Sequence, residues 1–241
     1  MSTDFFKPEI IPELVWKIIQ AFPLTLILTV CSLILGSLIA LGIAVLALRS
    51  PKVTRGMANG YIHFIRGIPT LILIYLLYLG FPQFMKGLGV DMSGVDKRVY
   101  LVVIFALAIS ANFAELMRSS YLSVDKGQGE AALAIGMTAR QGFKRIVLPQ
   151  ALAVALPSLG NYVIMLFKLT SLGFVVGVVD LMGKTRILIN ITYGSRRLET
   201  YLALAIIYWA LCFVLERINK LLITRYTRGR RELADGKAAA K

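Results

Sequence analysis

PLTLILTVCSLILGSLIALGIAVLAL, residues Pro23–Leu48, carries no charge from end to end, and its reading decides the fold class. About 25 helical residues at 1.5 Å each cross roughly 30 Å of hydrocarbon with some tilt. Four further stretches follow: Gly67–Met85, free of charge; Val99–Ala114, held between Arg98 and Glu115; Val147–Val179, interrupted only by Lys168; and Thr200–Leu215, ahead of a basic tail. The third and fifth are short by simple count, so they are expected to borrow flanking turns whose Arg and Glu side chains snorkel to the interfaces. The expected fold is an all-α integral membrane protein with five transmembrane helices.

Composition excludes an ordinary soluble domain, because 57% of residues are hydrophobic, only 17% are charged and mean hydropathy is +0.73. A net charge of +14 would fit nucleic acid if it gathered on one soluble face. It is instead distributed by topology. With the N-terminus outside, the cytoplasmic side receives Arg49, Lys52 and Arg55, then five cations from Arg118 to Arg145, then the tail from Arg217 onward. The outer side receives fewer: Lys7 and Lys17, then Lys86, Lys97 and Arg98, then Lys184, Arg186, Arg196 and Arg197. The positive-inside bias therefore predicts N-out and C-in, which requires an odd number of spans. No secretory signal peptide is evident, and the first span is too long for a signal core. Cys31 and Cys212 both fall within spans, so no disulfide framework is expected and core packing is their role.

The organisation is a single membrane domain. Residues 1–22 read as an outer interfacial amphipathic segment, with Ile10, Ile11, Leu14, Val15, Ile18, Ile19 and Phe22 at helical spacing, Glu9, Glu13 and Lys17 on another face, and Pro12 suited to a first turn. Residues 23–223 form the transmembrane domain, including a cytoplasmic insert at 125–149, and 224–241 form a basic cytoplasmic tail. Ser32, Gly36, Ser37, Ala40 and Gly42 give the first span small surfaces for close helix approach. Pro157 either kinks the fourth span or marks its start.

The insert Glu130-Ala131-Ala132, then Gly136, then Ile146-Val147-Leu148-Pro149 reads as two short helices between apolar spans. Glu130 to Ile135 are good helix formers, and Gly136 fits a left-handed terminus. Thr138 and Gln141 have capping-box spacing, and Pro149 marks the next boundary. Catalytic chemistry finds little support. His63 is the only histidine, placed at a membrane edge, and there is no His-Glu-x-x-His pair, Gly-x-Ser-x-Gly elbow or Walker loop. No catalytic or metal-ligating residue is therefore assigned. A membrane-embedded enzyme built from scattered residues stands as the alternative of a different class. Lys168 is the sharpest intramembrane residue, since a lysine near a helix centre costs about 2.5–3.5 kcal/mol on insertion scales and needs a partner or water.

The insert resembles the EAA motif of bacterial ATP-binding cassette (ABC) importer permeases. Phe64-Ile65-Arg66-Gly67-Ile68-Pro69, Glu115 with Arg118, Gly127-Gln128, Leu148-Pro149-Gln150, Leu156-Pro157, Asn161 and Lys168 before Thr170-Ser171-Leu172 extend the resemblance to the permeases of polar amino-acid importers of the histidine, glutamine, arginine and cystine type. This resemblance implies the five-span fold of a type I importer permease in the bacterial inner membrane. It implies as partners two ABC ATPase subunits, a second permease subunit, identical or homologous, and an extracytoplasmic binding protein. No cofactor is expected on this chain, with ATP and Mg on the partner ATPase. The implied ATPase-coupling residues are Glu130, Ala131, Ala132, Gly136, Ile146 and Pro149. The implied substrate residues are Lys168, Leu169, Thr170, Glu115 and Asn112, with Lys168 holding an α-carboxylate and Glu115 receiving an α-ammonium or pairing with Arg118. Many members that carry basic amino acids have Asp where this chain has Leu169 and Asn where it has Ala108, which weakens the case for a cationic substrate. Val178–Lys184 and the last span look similar to cystine permeases. Cystine is the favoured substrate, with glutamine or another neutral polar amino acid open.

Overall fold

The computed structural model describes residues 6–238, with side chains to residue 226, and every regular element among them is helical. Residues 1–5 and 239–241, the extremities of the expected outer segment and basic tail, lie outside the described residues. In chain order the helices are α1 (Ile11–Ile19), α2 (Phe22–Arg49), α3 (Lys52–Gly67), α4 (Thr70–Tyr75), α5 (Phe81–Gly87), α6 (Lys97–Leu122), α7 (Lys126–Ala134), α8 (Ala139–Gly142), α9 (Leu148–Leu169), α10 (Leu181–Ile191) and α11 (Arg197–Ala238). Among the described residues, five helical stretches are long and apolar enough to cross a membrane. The two short spans do borrow flanking turns, reaching Lys97–Leu122 and Arg197–Tyr226.

The central span is α6, 61% buried over its apolar window against 28% for α2. The pair packs along its whole length. Lipid tails are as apolar as leucine, so helices associate through close packing and hydrogen bonds, and small residues decide where backbones meet. On α2 the buried stripe is Thr25, Leu28, Thr29, Ser32, Gly36, Ala40, Ala44 and Ala47. Ser32 Oγ donates to the Val102 carbonyl at 3.2 Å. A Cβ on Gly36 would stand 2.3 Å from Ile109 Cγ2 and 2.9 Å from the Ala106 oxygen, so glycine is required there. Gly42 corrects the expectation of close approach, since nothing lies within 4 Å of its would-be Cβ. Cys31 is likewise exposed on the far side of α2 and does not pack in the core.

Between the first two expected spans the chain is helical. Within α3, Ala58 and Ile62 are buried, and the Tyr61 hydroxyl meets Ser110 Oγ on α6 at 2.7 Å. The helix breaks at Ile68, which is extended (φ −95°, ψ 129°), the conformation that Pro69 favours in the residue before it. Two π turns follow the same logic. Leu76–Gly80 precedes Pro82, and Phe143–Val147 precedes Pro149. A proline ring clashes with the carbonyl four residues back and donates no N–H, and widening that turn to i→i+5 relieves both. Pro149 is therefore not a helix boundary. One helical rod runs from Ala139 to Val176, 38 residues, with Pro157 inside α9, so a helix start at Pro157 is also excluded.

The rod tightens into 3₁₀ geometry over Thr170–Val176 and ends on Gly177 at φ 72°. Asp180 then caps α10, its Oδ1 accepting the Gly183 N–H at 2.8 Å. The amphipathic α1 forms as expected, with Pro12 in its first turn. Its Leu14 and Ile18 are buried against Ala203, Leu204 and Ile207 of α11, so its apolar face packs on protein. The Lys7 N–H donates to Glu199 Oε1 at 2.9 Å and ties the approach to α1 onto the start of α11.

Candidate functional site

Two regions carry the expected functional residues, one at each end of the Ala139–Val176 rod. At the Ala139 end α7 begins with Asp125, whose Oδ1 accepts the Gly127 N–H at 2.6 Å. It closes with a Schellman arrangement: the Gly136 N–H donates to the Leu133 carbonyl, the Met137 N–H to Ala132, and Gly136 takes φ 81°. The capping box is present in both directions, from Gln141 N–H to Thr138 Oγ1 at 3.3 Å and from Thr138 N–H to Gln141 Oε1 at 2.8 Å. The left-handed glycine and the capping box were both legible in the sequence.

Ala132 is buried against Gly142, where an added Cβ would stand 3.0 Å away, so α7 lies close on the foot of the rod. Glu130, Ala131 and Gly136 are exposed. Ile146 and Pro149 are half-buried and act as supports: the Ile146 carbonyl accepts from Gln150 Nε2 at 3.0 Å, and the Pro149 carbonyl accepts from the Tyr226 hydroxyl at 3.2 Å. Leu133 and Ile135, 55% and 72% exposed, add an apolar surface to α7. Sequence reasoning missed them because a leucine and an isoleucine on a short helix look like core.

Near the other end Lys168 is exposed and borders a hollow of about 420 Å³ with Ser171, Tyr208, Trp209 and Cys212. Among the described residues no carboxylate pairs with its ammonium. The remaining expected substrate residues do not gather there. Leu169, one position around the helix, packs against the main core with Leu28, Ile104 and Phe105. Thr170 is fully buried, its hydroxyl turned back to the Phe167 carbonyl at 2.7 Å. Asn112 spends its amide on the Ala108 carbonyl at 3.0 Å. Glu115 is held by Arg118 in a two-pronged pair at 2.9 and 2.7 Å, with His63 and Arg66 of α3 nearby. Of the alternatives for Glu115, the structure has the Arg118 pair.

Tyr208, Trp209 and Cys212 come from α11, some forty positions from Lys168, so nothing local in the sequence announces them. A larger hollow of about 570 Å³ lies beyond the rod, bounded by Leu71 and Tyr75 of α4, Phe174, and Arg186 and Asn190 of α10. Arg186 stacks over Phe174 at 5.1 Å. None of the expected substrate residues borders it, and its one cation is engaged with an aromatic face. The Lys168 hollow is smaller but holds the unpaired charge, so it is the better candidate for a zwitterion.

Comparison with known proteins identifies the family. Residues 32–228 match the family described as binding-protein-dependent transport system inner membrane component. The chain is 37% identical over 211 residues to the L-cystine transport system permease protein TcyL of Bacillus subtilis, covering 88% of this chain and 87% of the relative. It is 33% identical over 216 residues to the nopaline transport system permease protein NocM of Agrobacterium fabrum, covering 88% and 89%. Among solved structures, an amino acid ABC transporter crystallised with histidines superposes with a TM-score of 0.80 at 32% identity, covering 93% of this chain and all of that one. The chain belongs to the binding-protein-dependent transport inner membrane component family, as an amino-acid ABC permease of the bacterial inner membrane and not an enzyme.

Proposed function

We propose that this chain is the translocating subunit of an ATP-driven importer of a polar amino acid, cystine favoured, in which Lys168 receives the substrate α-carboxylate. The observation that carries this reading is the unpaired Lys168 ammonium beside a hollow of about 420 Å³. A lysine at membrane depth needs an anion or water, and a carboxylate arriving with the substrate supplies one. Ser171 offers a hydroxyl beside it, and Tyr208 and Trp209 supply aromatic walls. Similarity to an L-cystine permease favours cystine, while similarity to a nopaline permease keeps the wider class of amino-acid derivatives in view.

The drive reaches that hollow through the rod. The α7 surface of Glu130, Ala131, Leu133 and Ile135 docks on an ABC ATPase subunit, where ATP and Mg are held, with Gly136 setting its angle. Ala132 against Gly142 fixes α7 to the foot of the rod. From Ala139 to Lys168 the rod spans about 43 Å at 1.5 Å per residue. A tilt imposed at α7 therefore displaces Lys168 without any other moving part. The full assembly comprises two permeases, two ATPases and an outer binding protein, with this chain N-out and C-in.

The test is uptake competition in vesicles reconstituted with the ATPase and binding protein. Cystine should compete best, and preference for arginine or glutamine would sink the cystine assignment while leaving the permease reading intact. Single cysteines at Ser93 and Gly236, in a cysteine-free background, should label from opposite sides. Labelling from one side would overturn the orientation.

A further inference from the structure

An apolar trough of about 420 Å³ runs along the inner halves of α2, α6 and α9, walled by Leu41, Val45, Met117, Leu148, Leu152 and Ala155. It runs into a second hollow of about 290 Å³ beneath α7, and the two share Arg49, Tyr121 and Phe143. The trough is apolar where the spans are apolar. The second hollow brings Arg49 together with Lys126 and Glu130.

At the junction the Arg49 guanidinium lies over the Phe143 ring at 5.9 Å, and Tyr121 packs on the same ring at 6.2 Å. Among the described residues no carboxylate pairs with Arg49. The stacking holds the guanidinium at the trough's mouth while leaving its N–H fork free for an acceptor.

We propose that this paired groove is a binding site for an anionic phospholipid, with one acyl chain in the α2–α6–α9 trough and the phosphate between Arg49 and Lys126. The match is one of chemistry along the groove: hydrocarbon at one end, two cations at the other, at the depth where the apolar spans give way to a basic belt. Glu130, the one carboxylate bordering the second hollow, repels a doubly charged headgroup and accepts a hydrogen bond from a hydroxyl-bearing one. Phosphatidylglycerol fits both conditions. The headgroup hollow is bounded by Gly129, Glu130 and Leu133 of α7, so an occupant wedges against the surface assigned above to the ATPase. Which leaflet supplies the lipid rests on the N-out, C-in reading; the site itself does not.

The test uses the full chain in mild detergent with equal phosphatidylglycerol and phosphatidylethanolamine, and native mass spectrometry counts the lipid retained. Detergent has no leaflets, so an error in orientation leaves the result unchanged. Wild type should keep phosphatidylglycerol in preference. Arg49→Gln should lower that retention at least about fivefold, the factor expected for one interfacial basic residue. Leu152→Trp, plugging the trough, should lower retention of both lipids. Lys52→Gln removes the same charge from the neighbouring turn, outside the groove, and should change little.

Four results would overturn the proposal. They are no preference in wild type, equal losses in Arg49→Gln and Lys52→Gln, full competition by glycerol phosphate alone, or a change in oligomer mass with lipid retained in Leu152→Trp. The third would make this a site for a free phosphate, and the last a contact between two copies of the chain. If Leu152→Trp fails to fold, the Arg49→Gln and Lys52→Gln pair still decides.

Discussion

In the N-out orientation proposed above the Ala139–Val176 rod has an inner and an outer end, and the two are built on opposite plans. The inner end is assembled from neighbours in sequence: Asp125 caps α7, Gly136 closes it, Thr138 and Gln141 start the rod, and Ala132 meets Gly142 ten residues on. Near the outer end the Lys168 hollow is assembled from α9 and α11, which are distant in sequence and meet only after the bundle has formed. The inner end is thus specified largely by residues close in sequence. The outer site exists only as a product of packing, which lets a tilt of the rod against α11 reshape it.

The largest effect expected from this contrast is at Gly136. Its φ of 81° lies where a β-branched side chain is strained, at a cost of about 1–3 kcal/mol. No neighbour stands within 4 Å of its would-be Cβ, so Gly136→Val acts on backbone conformation alone. Insertion and dimer formation should be normal, while ATPase stimulation and uptake fall to background. A variant that transports normally would show that the angle of α7 is not what couples the two proteins.

At Lys168 the expected effect is smaller and confined to substrate. Lys168→Met keeps most of the side-chain volume and removes a charge-assisted hydrogen bond worth about 1.5–3 kcal/mol, so substrate should be held about ten- to hundredfold more weakly. Basal ATP hydrolysis should persist. Loss of assembly would instead assign Lys168 to holding the complex together. Leu169→Asp sharpens the comparison: Leu169 packs on the main core, so the carboxylate should destabilise the bundle before it admits cationic substrates. Improved arginine uptake at normal stability would mean that Leu169 faces the substrate after all.

The inner end was legible in the sequence because its caps and turns are local. The Thr138–Gln141 capping box and the left-handed Gly136 depend on residues a few positions apart, and both formed where expected. The π turn at Pro149 was not legible as such, because a proline states that a turn is disturbed without saying whether the helix ends or widens. Residues 52–67 fall between two expected spans and carry Lys52, Arg55, His63 and Arg66, so apolar length gave no signal for α3. Its buried pair, Ala58 and Ile62, becomes meaningful only beside α6. The Lys168 hollow was half legible: a lone intramembrane charge marks a site, whereas Tyr208, Trp209 and Cys212 have no local signature. The family resemblance also gathered Leu169 and Thr170 into the site, although consecutive helical positions point about 100° apart.

The smallest expected effect distinguishes the two ends by pH. Asp180, next to the outer end of the rod, is fully buried, and its Oδ2 has no hydrogen-bond partner among the described residues. Burial pushes its carboxyl up to about 7, against the backbone N–H groups that pull it down, and Tyr208 of α11 faces it. Glu130, the acid of the inner end, is exposed. The sign follows from proton uptake: between the ordinary carboxylate range and about pH 7 the folded chain holds a proton that the unfolded chain has released. The contribution is therefore fully present below about pH 4 and is lost as pH rises to 7, by about 1 kcal/mol per unit. For a chain of this size that is roughly 2–4 °C in melting temperature per pH unit. Asp180→Asn still accepts the Gly183 N–H but cannot ionise, so its melting temperature should be flatter from pH 5 to 7. Amide exchange should place the wild-type pH response in α10 and the adjoining turn of α11, leaving α7 unmoved. An equal response in α7 would mean that the rod transmits the titration from end to end, and a wild-type profile as flat as that of Asp180→Asn would mean that Asp180 is solvated in the membrane-bound protein.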